Sequence, residues 1–334
     1  MLNLIFVKKS LTLFQSVLLV VFVSLGVLIF MNRDYFNSSS PAEKLNAESP
    51  LVIHRNQTFK YAKPFVFFDL ANPSTLLLPL KNIIREYINQ QSQNGTIFQA
   101  SMYLRDLETG EWTSVNEAEN YHPGSLIKVP MLIYYLKKSE SDPTILDKKL
   151  KMGDEFRGVP NQTYTDKSIE KNKEYSVREL LKYMVSYSDN NATYLLNNNC
   201  NEEEFKKVFT DMGLVLKDVH DTSYTISVRN YSIFIRVLYN ATYLNSKNSD
   251  YALSLLSQSS FNLGMSSKLP KDVGIAHKFG ETKMDGKREL HESGIIYCNH
   301  RPYQLTIMTK GYNPMKLAGF ISSVSDTIFR FFCV

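Results

Sequence analysis

Residues 11–31 are an apolar run of 21 residues, LTLFQSVLLVVFVSLGVLIFM, without a single charge. In a helix that rises about 1.5 Å per residue, such a run spans roughly 30 Å, the hydrocarbon thickness of a bilayer. A core helix of this length normally keeps a polar face, and a cleaved signal peptide has a shorter apolar region followed by small residues. We therefore predict an uncleaved transmembrane signal anchor over 11–31, which excludes a fold that uses the whole chain as one globular body.

The charges around this run predict its orientation. Lys8 and Lys9 precede it, whereas Arg33 behind it is offset by Asp34. Positively charged flanks stay on the cytoplasmic side of a membrane. Residues 1–10 are therefore expected to form a cytoplasmic tail, and everything beyond the span is expected outside the cytoplasm. The prediction is a single-pass protein of the cell membrane with an extracytoplasmic domain.

A polar segment follows the span. Residues 37–50, NSSSPAEKLNAESP, contain two prolines and no apolar periodicity, which is typical of a flexible tether. We therefore expect a stalk over 32–61 and one folded domain over 62–334. A domain of about 270 residues is large enough to bury a substantial core.

Composition narrows the expected partners. The chain has 38 Lys and Arg against 33 Asp and Glu, a formal net charge of +5, without a basic run or a nucleic-acid-binding signature. A nucleic-acid partner is therefore not expected. The histidines show no metal-ligand spacing, so neither a metal nor another cofactor is expected, and we expect a monomer. Three cysteines are too few for a disulfide framework. Three unpaired thiols are expected, with a Cys200–Cys298 bridge as the alternative.

Apolar periodicity places the elements of the domain. Helices are predicted at 78–92, from 125 to about 138, and at 176–187, 190–198, 202–212, 226–244, 249–258 and 314–332. Strands are predicted at 99–104, 112–115, 273–279, 293–298 and 303–309. This order predicts an α+β fold. Its five-stranded antiparallel sheet would carry the terminal helices on one face and an all-helical lobe on the other.

Ser125 and Lys128 open the second predicted helix, in the sequence Ser-Leu-Ile-Lys. Three residues are just under one helical turn, so both side chains share a face. A lysine kept neutral by burial or by nearby cations can take the proton of a serine hydroxyl and make it a nucleophile. Free N–H groups at a helix start can also bind a developing oxyanion. The alternative for this pair alone is a solvated helix face, which also explains a second Ser-x-x-Lys, Ser168 to Lys171.

The tripeptide Ser188-Asp189-Asn190 lies between two predicted helices. All three residue types are preferred helix N-caps, which is the structural alternative. As functional groups, Ser188 would relay a proton to a leaving group and Asn190 would donate to a substrate amide carbonyl.

Lys278-Phe279-Gly280 lies inside a predicted strand, VGIAHKFGE. A charge in an apolar strand is explained either by a strand edge that faces solvent or by a functional cation. Such a cation would attract an anionic substrate and polarise the relay serine. Gly280 would then allow the substrate close to the backbone.

In this order the three motifs resemble the active-site signature of the penicillin-recognising serine hydrolases. These are the class A beta-lactamases and the D,D-peptidases known as penicillin-binding proteins. The stretch 175–196, YSVRELLKYMVSYSDNNATYLL, is also similar to the class A sequence around its Ser-Asp-Asn, and the resemblance covers about 75–333. It implies the fold of that family for the exported domain.

The resemblance also implies the site. Ser125 would be the acylated nucleophile, Lys128 its base, and Ser188 a catalytic group in the cleft. The backbone N–H groups of Ser125 and Glu281 would form the oxyanion hole. The expected substrate-binding residues are Asn190, Lys278, Gly280 and Glu281.

One departure from the family pattern concerns deacylation. Class A beta-lactamases carry a glutamate on a long loop, where it activates the deacylating water. The corresponding segment here, GLVLKDVHDTS, is short and has no glutamate. Asp218, His220 and Asp221 are the only substitutes, and the ordinary polarity of a loop is the default explanation for them.

A second departure lies in the third motif. Phe279 replaces a Thr or Ser whose hydroxyl binds the substrate carboxylate in the family, so the substrate differs or depends on Lys278 alone. His277 and His291 are close enough in sequence to line the cleft. A structural role in a strand is the expectation for both.

The implied activity is that of a membrane-anchored serine hydrolase which forms an acyl-enzyme and cleaves a beta-lactam or a D-Ala-D-Ala-like amide. The expected substrate is therefore a small molecule or a peptidoglycan peptide. The missing glutamate and the tether favour a D,D-carboxypeptidase-like cell-wall enzyme as the first alternative. The others are a sensor that stays acylated, disfavoured by the short stretch before the span, and an acyltransferase or esterase.

Overall fold

The computed structural model describes residues 51–56, 64–154, 164, 167–218, 221, 223–284, 286–298 and 301–334. The predicted cytoplasmic tail, the anchor over 11–31 and the stalk up to residue 50 lie outside the described residues. Among the residues that are described, no helix combines the length and the apolarity needed to cross a bilayer. Leu51–Val334 forms one compact unit.

This unit contains every predicted helix and strand of the domain, together with short strands that were not predicted. The strands are β1 (Leu51–Arg55), β2 (Phe65–Leu70), β3 (Gln99–Asp106), β4 (Trp112–Val115), β5 (Asn120–Tyr121), β6 (Lys149–Lys151), β7 (Glu174–Ser176), β8 (Ile226–Ser227), β9 (Gly274–Met284), β10 (Lys287–Tyr297) and β11 (Tyr303–Gly311). The α-helices are α1 (Leu78–Gln93), α2 (Lys128–Ser139), α3 (Val177–Ser186), α4 (Asn190–Asn197), α5 (Glu202–Asp211), α6 (Val228–Tyr239), α7 (Ser246–Leu256) and α8 (Pro314–Cys333). Short 3-10 turns occur at Gly124–Ile127, Pro143–Leu146 and Met265–Lys268.

Five of the strands form an antiparallel sheet in the order β4-β3-β11-β10-β9, which confirms the predicted sheet. Leu305 pairs with Leu104 across β11 and β3, and Lys278 pairs with Ser293 across β9 and β10. β9 is therefore an edge strand, and β11, the last strand in the sequence, lies in the middle.

Side chains alternate between the two faces of this sheet, and helices bury each face. On one face Leu305 belongs to the same buried cluster as Ile84 of α1 and Ile321 of α8. On the other face Met308 belongs to the cluster that contains Phe234 and the other helices of the lobe, α2 to α7. The terminal helices and the helical lobe thus cover opposite faces, as predicted.

The folded unit begins earlier than predicted. Leu51–Arg55, which was assigned to the stalk, forms β1 and pairs antiparallel with β2. Asp69 of β2 is buried and forms ion pairs with Arg105, at 2.8 Å, and with Arg236, which fasten the hairpin to the core. A five-residue strand beside a polar, proline-containing segment has too short an alternation to be recognised in the sequence.

The expected cysteine chemistry is wrong. Cys298, which follows β10, and Cys333, the last residue of α8, form a disulfide, and the half-buried thiol of Cys200 is free. The Cys200–Cys298 alternative is therefore also wrong. α8 packs on β10 and brings together two cysteines that are 35 positions apart. Tertiary packing creates that proximity, and sequence spacing alone does not reveal it.

Candidate active site

Ser125 lies in the 3-10 turn Gly124–Ile127, which leads directly into α2. The N–H of Leu126 donates to the carbonyl oxygen of Pro123 (3.0 Å) and closes the turn. Gly124 has a φ of +51°, a left-handed conformation that favours glycine. The half-buried serine thus lies where the sequence predicts a helix to begin.

β9 packs directly against this turn. A Cβ on Gly124 would lie 2.6 Å from the carbonyl oxygen of Glu281, and a Cβ on Gly280 would lie 2.4 Å from that of Pro123. The two backbones approach so closely because both positions are glycine. Gly280, which was expected to make room for the substrate, therefore makes room for the turn. The contact places the backbone of Glu281 beside the residue that precedes Ser125, which is the neighbourhood that an oxyanion hole requires.

Lys128 is the central polar group of the site. Its side chain is buried, and its Nζ donates to the carbonyl oxygen (2.6 Å) and the Oγ (3.2 Å) of Ser188 and to Oδ1 of Asn190 (2.8 Å). Burial lowers the pKa of this lysine from 10.5 to about 7, and nearby Asp189 opposes the shift. When the amine is neutral, its two N–H groups can still donate to the carbonyl oxygen of Ser188 and to Oδ1 of Asn190. Its lone pair can then accept a proton near neutral pH.

A buried carboxylate holds the second motif in place. Oδ1 of Asp189 accepts from the hydroxyl of Ser168 (2.8 Å) and from the N–H of Asn191 (2.9 Å), and Oδ2 accepts from the N–H of Ile169 (2.9 Å). Asp189 is therefore the N-cap of α4. Sequence reasoning missed the supporting role of Ser168, since its Ser-x-x-Lys context carries no sign of this contact.

Because Asp189 caps the helix, its two neighbours can face Lys128. Ser188 is fully buried and has a φ of +57°, a left-handed conformation that costs a non-glycine residue roughly 1–2 kcal/mol. Its contacts with Lys128 help to hold that conformation. Asn190 is exposed at the start of α4, although its Oδ1 accepts from the lysine.

Lys278 is also buried, although it lies on an edge strand, so the explanation by a solvent-facing edge is wrong. Its Nζ donates to the carbonyl oxygen of Phe279 (2.8 Å). Burial and the charge of Lys128 lower the pKa of Lys278 well below its usual value, against a smaller opposing effect of Glu292. The two buried lysines therefore disfavour each other's protonation.

The side chain of Phe279 belongs to the core. Its buried ring stacks on Phe261 with a centroid distance of 4.3 Å, within the cluster under the terminal helices. The departure from the family pattern is thus an aromatic packing residue, and Phe279 offers no group that could bind a carboxylate.

Both histidines of interest are buried in strands next to carboxylates, in agreement with the expected structural role. Nδ1 of His277 lies 2.5 Å from Oε1 of Glu292. Nε2 of His291 lies 3.0 Å from the carbonyl oxygen of His122 and 3.2 Å from Oε2 of Glu289. Burial raises the pKa of Glu289, but the hydrogen bonds from His291 and His122 and the charge of Lys310 outweigh it and lower that pKa.

A cavity of about 480 Å³ lies beside the turn and includes Gly124, Thr282, Asp218 and Asp221 in its lining. Both aspartates are exposed. The hydroxyl and the N–H of Ser223 donate to Asp221 and lower its pKa, which makes it a weaker base. His220 lies outside the described residues.

A model of the beta-lactamase enzyme family matches residues 79–332. The chain belongs to the beta-lactamase enzyme family. The matched range runs from α1 into α8 and includes all three motifs, so membership in this family applies to the sheet, the helical lobe and the site together.

Solved structures with the beta-lactamase fold resemble this chain over nearly their whole length. PBP-A is 21% identical with a TM-score of 0.65, over 78% of this chain and 97% of that one, and a second PBP-A structure is an acyl-enzyme complex with penicillin G. A beta-lactamase from Chitinophaga pinensis is 18% identical with a TM-score of 0.65, over 75% and 99% of the two chains. A class A beta-lactamase from Bacteroides cellulosilyticus is 17% identical with a TM-score of 0.63, over 75% and 97%. At these identities the similarity shows the fold alone. A comparison with curated proteins gave no match.

Within this family fold, the structure joins the three motifs in one place. Lys128 contacts the second motif, and the third motif packs against the turn of Ser125 through Gly280. Lys278 lies nearby, with its Nζ bonded to its own strand. Within the described ranges, no group of three or more His, Cys, Asp or Glu side chains is placed to hold a metal ion.

Proposed function

We propose that this protein is a membrane-anchored serine hydrolase that cleaves beta-lactam or D-Ala-D-Ala-like amide bonds through an acyl-enzyme on Ser125. The amine of Lys128 carries the proposal. It is buried, has a pKa of about 7, contacts Ser188 and Asn190, and lies just under one helical turn from Ser125. Such an amine can act as the base that a serine nucleophile needs.

The acylation step follows from these contacts. Oγ of Ser125 bonds to the carbonyl carbon of the substrate, and its proton passes to the amine of Lys128. The carbonyl oxygen becomes an oxyanion that faces the N–H groups of Ser125 and Glu281. When the C–N bond breaks, the proton passes from Lys128 through the hydroxyl of Ser188, 3.2 Å away, to the leaving nitrogen. The products are an ester on Ser125 and an amine, which stays attached to the acyl group if the substrate is a beta-lactam.

Two residues, Asn190 and Lys278, are proposed to bind the substrate. Asn190 is exposed, and since its Oδ1 faces Lys128, its Nδ2 can donate to a substrate amide carbonyl. Lys278 is buried, and its Nζ donates to the carbonyl oxygen of Phe279. A substrate carboxylate beside this amine would favour its charged form, which burial and Lys128 disfavour.

A D,D-carboxypeptidase-like activity is the second candidate. The candidate bases on the loop, Asp218 and Asp221, are both exposed, and the structural similarity extends to PBP-A. Hydrolysis of the acyl-enzyme is then slow, as in an enzyme that processes cell-wall peptides and is trapped by penicillins.

The proposed location is the outer side of the cell membrane. The apolar run over 11–31 and the two lysines before it support this orientation. The Cys298–Cys333 disulfide supports it independently, because disulfides form and persist in oxidising compartments.

The test is intact mass spectrometry of the full-length chain after mixing with a penicillin. We expect a covalent adduct on the wild type and on Ser141→Ala, which removes an exposed serine after α2, and no adduct on Ser125→Ala. Labelling that survives in Ser125→Ala contradicts the assignment of the nucleophile.

The lifetime of the adduct separates the two activities. Rapid loss with accumulation of hydrolysed product indicates a beta-lactamase. A stable adduct indicates a D,D-peptidase or a sensor, and a chain without any mass change acts on another acyl substrate.

A further inference from the structure

We propose that Glu289 and His291 are positioning residues for the nucleophile: from β10 they hold both backbone polar groups of His122 and so set where the turn of Ser125 stands against β9. They act through the turn and not on the substrate. The inference rests on the proposed acyl-enzyme chemistry, because it concerns the oxyanion hole that this chemistry uses.

The contacts to His122 are made by two side chains of one distant strand. The N–H of His122 donates to Oε2 of Glu289 (2.9 Å), from a residue 167 positions later in the chain. The carbonyl oxygen of His122 lies 3.0 Å from Nε2 of His291. The ring Nδ1 of His122 also lies 3.1 Å from Oε1 of the same glutamate. The residue three positions before Ser125 is thus fixed at its N–H, at its carbonyl and at its side chain.

The position of the proton on the ring of His291 follows from the hydrogen bond that its Nδ1 accepts. The backbone N–H of Thr309 points at Nδ1 of His291, at 3.1 Å. A backbone N–H can only donate, so Nδ1 is the acceptor and the neutral ring carries its proton on Nε2. That proton is available to the carbonyl oxygen of His122 and to Oε2 of Glu289. The bond that holds the turn therefore has a defined donor.

The surroundings keep this network in one state. His291 is fully buried, with the ring of Tyr121 packed edge-on at a centroid distance of 5.4 Å. Glu289 is nearly buried, and Nζ of Lys310 lies 3.7 Å from its Oε1. The hydrogen bonds from His291 and His122 and the charge of Lys310 lower the pKa of Glu289 against the effect of burial, which favours the ionised carboxylate.

The turn is fastened on its other side as well. Gly124 and Gly280 bring it against the backbone of β9, where Glu281 supplies the second N–H of the proposed oxyanion hole. The backbone of Ser125 therefore lies between two anchors, the side chains of β10 and the backbone of β9. Releasing the β10 anchor lets the turn shift relative to Glu281, and a misplacement of about 1 Å can cost roughly a hundredfold in rate.

The test compares four full-length variants with the wild type. His291→Phe keeps a ring but removes the donor, His291→Gln restores an N–H donor, and Glu289→Gln keeps the shape but removes the charge. Asp106→Asn is the matched control. Its buried carboxylate also holds a turn, through the N–H groups of Glu108 and Thr109, but at the opposite end of β11 from Glu289.

Three quantities are measured for each variant: the rate of labelling by a fluorophosphonate, the rate of acylation by a penicillin, and the infrared stretching frequency of the ester carbonyl in the penicilloyl adduct. We expect about 10- to 100-fold slower labelling and acylation in His291→Phe. The ester carbonyl should absorb at higher wavenumber, because hydrogen bonds from the oxyanion hole weaken the C=O bond. Glu289→Gln should also lower the two rates and raise the carbonyl frequency, and His291→Gln should recover most of the wild-type rates and frequency. Asp106→Asn should lower thermal stability and leave the two rates and the carbonyl frequency unchanged.

The positioning role is overturned if folded His291→Phe, or folded Glu289→Gln where the former does not fold, keeps the wild-type rate and carbonyl frequency. It is also overturned if Asp106→Asn shifts the carbonyl as much as they do, because the effect then reflects general loosening of the fold. A wild-type chain that takes up neither reagent contradicts the proposed function as well.

Discussion

The two walls of the cleft around Ser125 differ in how they are built. The wall that we propose for acylation has a buried lysine at its centre: Lys128 has three acceptors within hydrogen-bonding distance, and Asp189 holds the turn that supplies them. The wall that faces the 480 Å³ cavity presents Asp218 and Asp221 from an exposed loop. Catalytic groups are effective when they are held in place and desolvated before the reaction begins. If the proposed function is right, the contrast favours formation of the acyl-enzyme over its hydrolysis.

The folding free energy that is lost around Lys128 agrees with this interpretation. Two lysines, Lys128 and Lys278, are removed from water, and Ser188 adopts a left-handed backbone. Burying an amine disfavours its charged form and costs folding free energy. The loop wall carries no comparable cost, because its carboxylates stay hydrated. Strain and desolvation are typically concentrated where chemistry occurs.

We expect the largest effect on acylation when the buried amine of Lys128, the proposed base, is removed. Lys128→Met fills a similar volume without an amine, and we expect acylation by a fluorescent penicillin to slow by about a thousandfold. Lys138→Met is the control on the same helix, since Lys138 is partly exposed and pairs with Glu204. It should acylate at the wild-type rate. A Lys128→Met protein that keeps more than about a tenth of that rate shows that another group is the base.

The pH dependence of the acylation rate also tests whether Lys128 is the base. The base must be neutral to accept the proton of Ser125, and Lys128 has a pKa of about 7. The rate should therefore be constant above about pH 8 and fall about tenfold for each pH unit well below 7. Stopped-flow acylation across this range measures the profile. A rate that stays constant down to about pH 5 is incompatible with a lysine base of this pKa.

The loop wall predicts the smallest effect. Asp218→Asn and Asp221→Asn should each change the lifetime of the penicilloyl adduct by less than about twofold, because an exposed carboxylate that the fold does not hold against the acyl group contributes little to water activation. Time-resolved intact mass spectrometry measures that lifetime. If one substitution prolongs it tenfold or more, that aspartate is the deacylating base, and the two walls are equally functional.

Much of the fold and the site was predictable because the signals are local. The helices and strands of the sheet and the lobe follow from apolar spacing, and the pairing of Lys128 with Ser188 and Asn190 follows from motifs that resemble a known signature. Features that depend on packing between distant segments were not predictable. The burial of Lys278 on an edge strand and the stacking of Phe279 are of this kind.

The same limit applies to the ends of the folded unit. Leu51–Arg55 is a strand only because β2 pairs with it. The Cys298–Cys333 disulfide forms only because α8 packs on β10. Neither fact leaves a periodicity or a spacing in the sequence, whereas both are evident once the elements are assembled.

The position of β11 has a consequence for how the protein is made. β11 lies between β10 and β3, yet it is synthesised after every other strand of the sheet. Leu104 of β3 therefore cannot pair with Leu305 until β11 has been made. Until the ribosome has passed residue 311, the inner edge of β3 has no neighbour, and an unpaired strand edge is prone to aggregation. Pairing across such a distance in sequence is also slow. The central pairing of the sheet can therefore form only near the end of synthesis, and until then the edge of β3 is open to incorrect pairing.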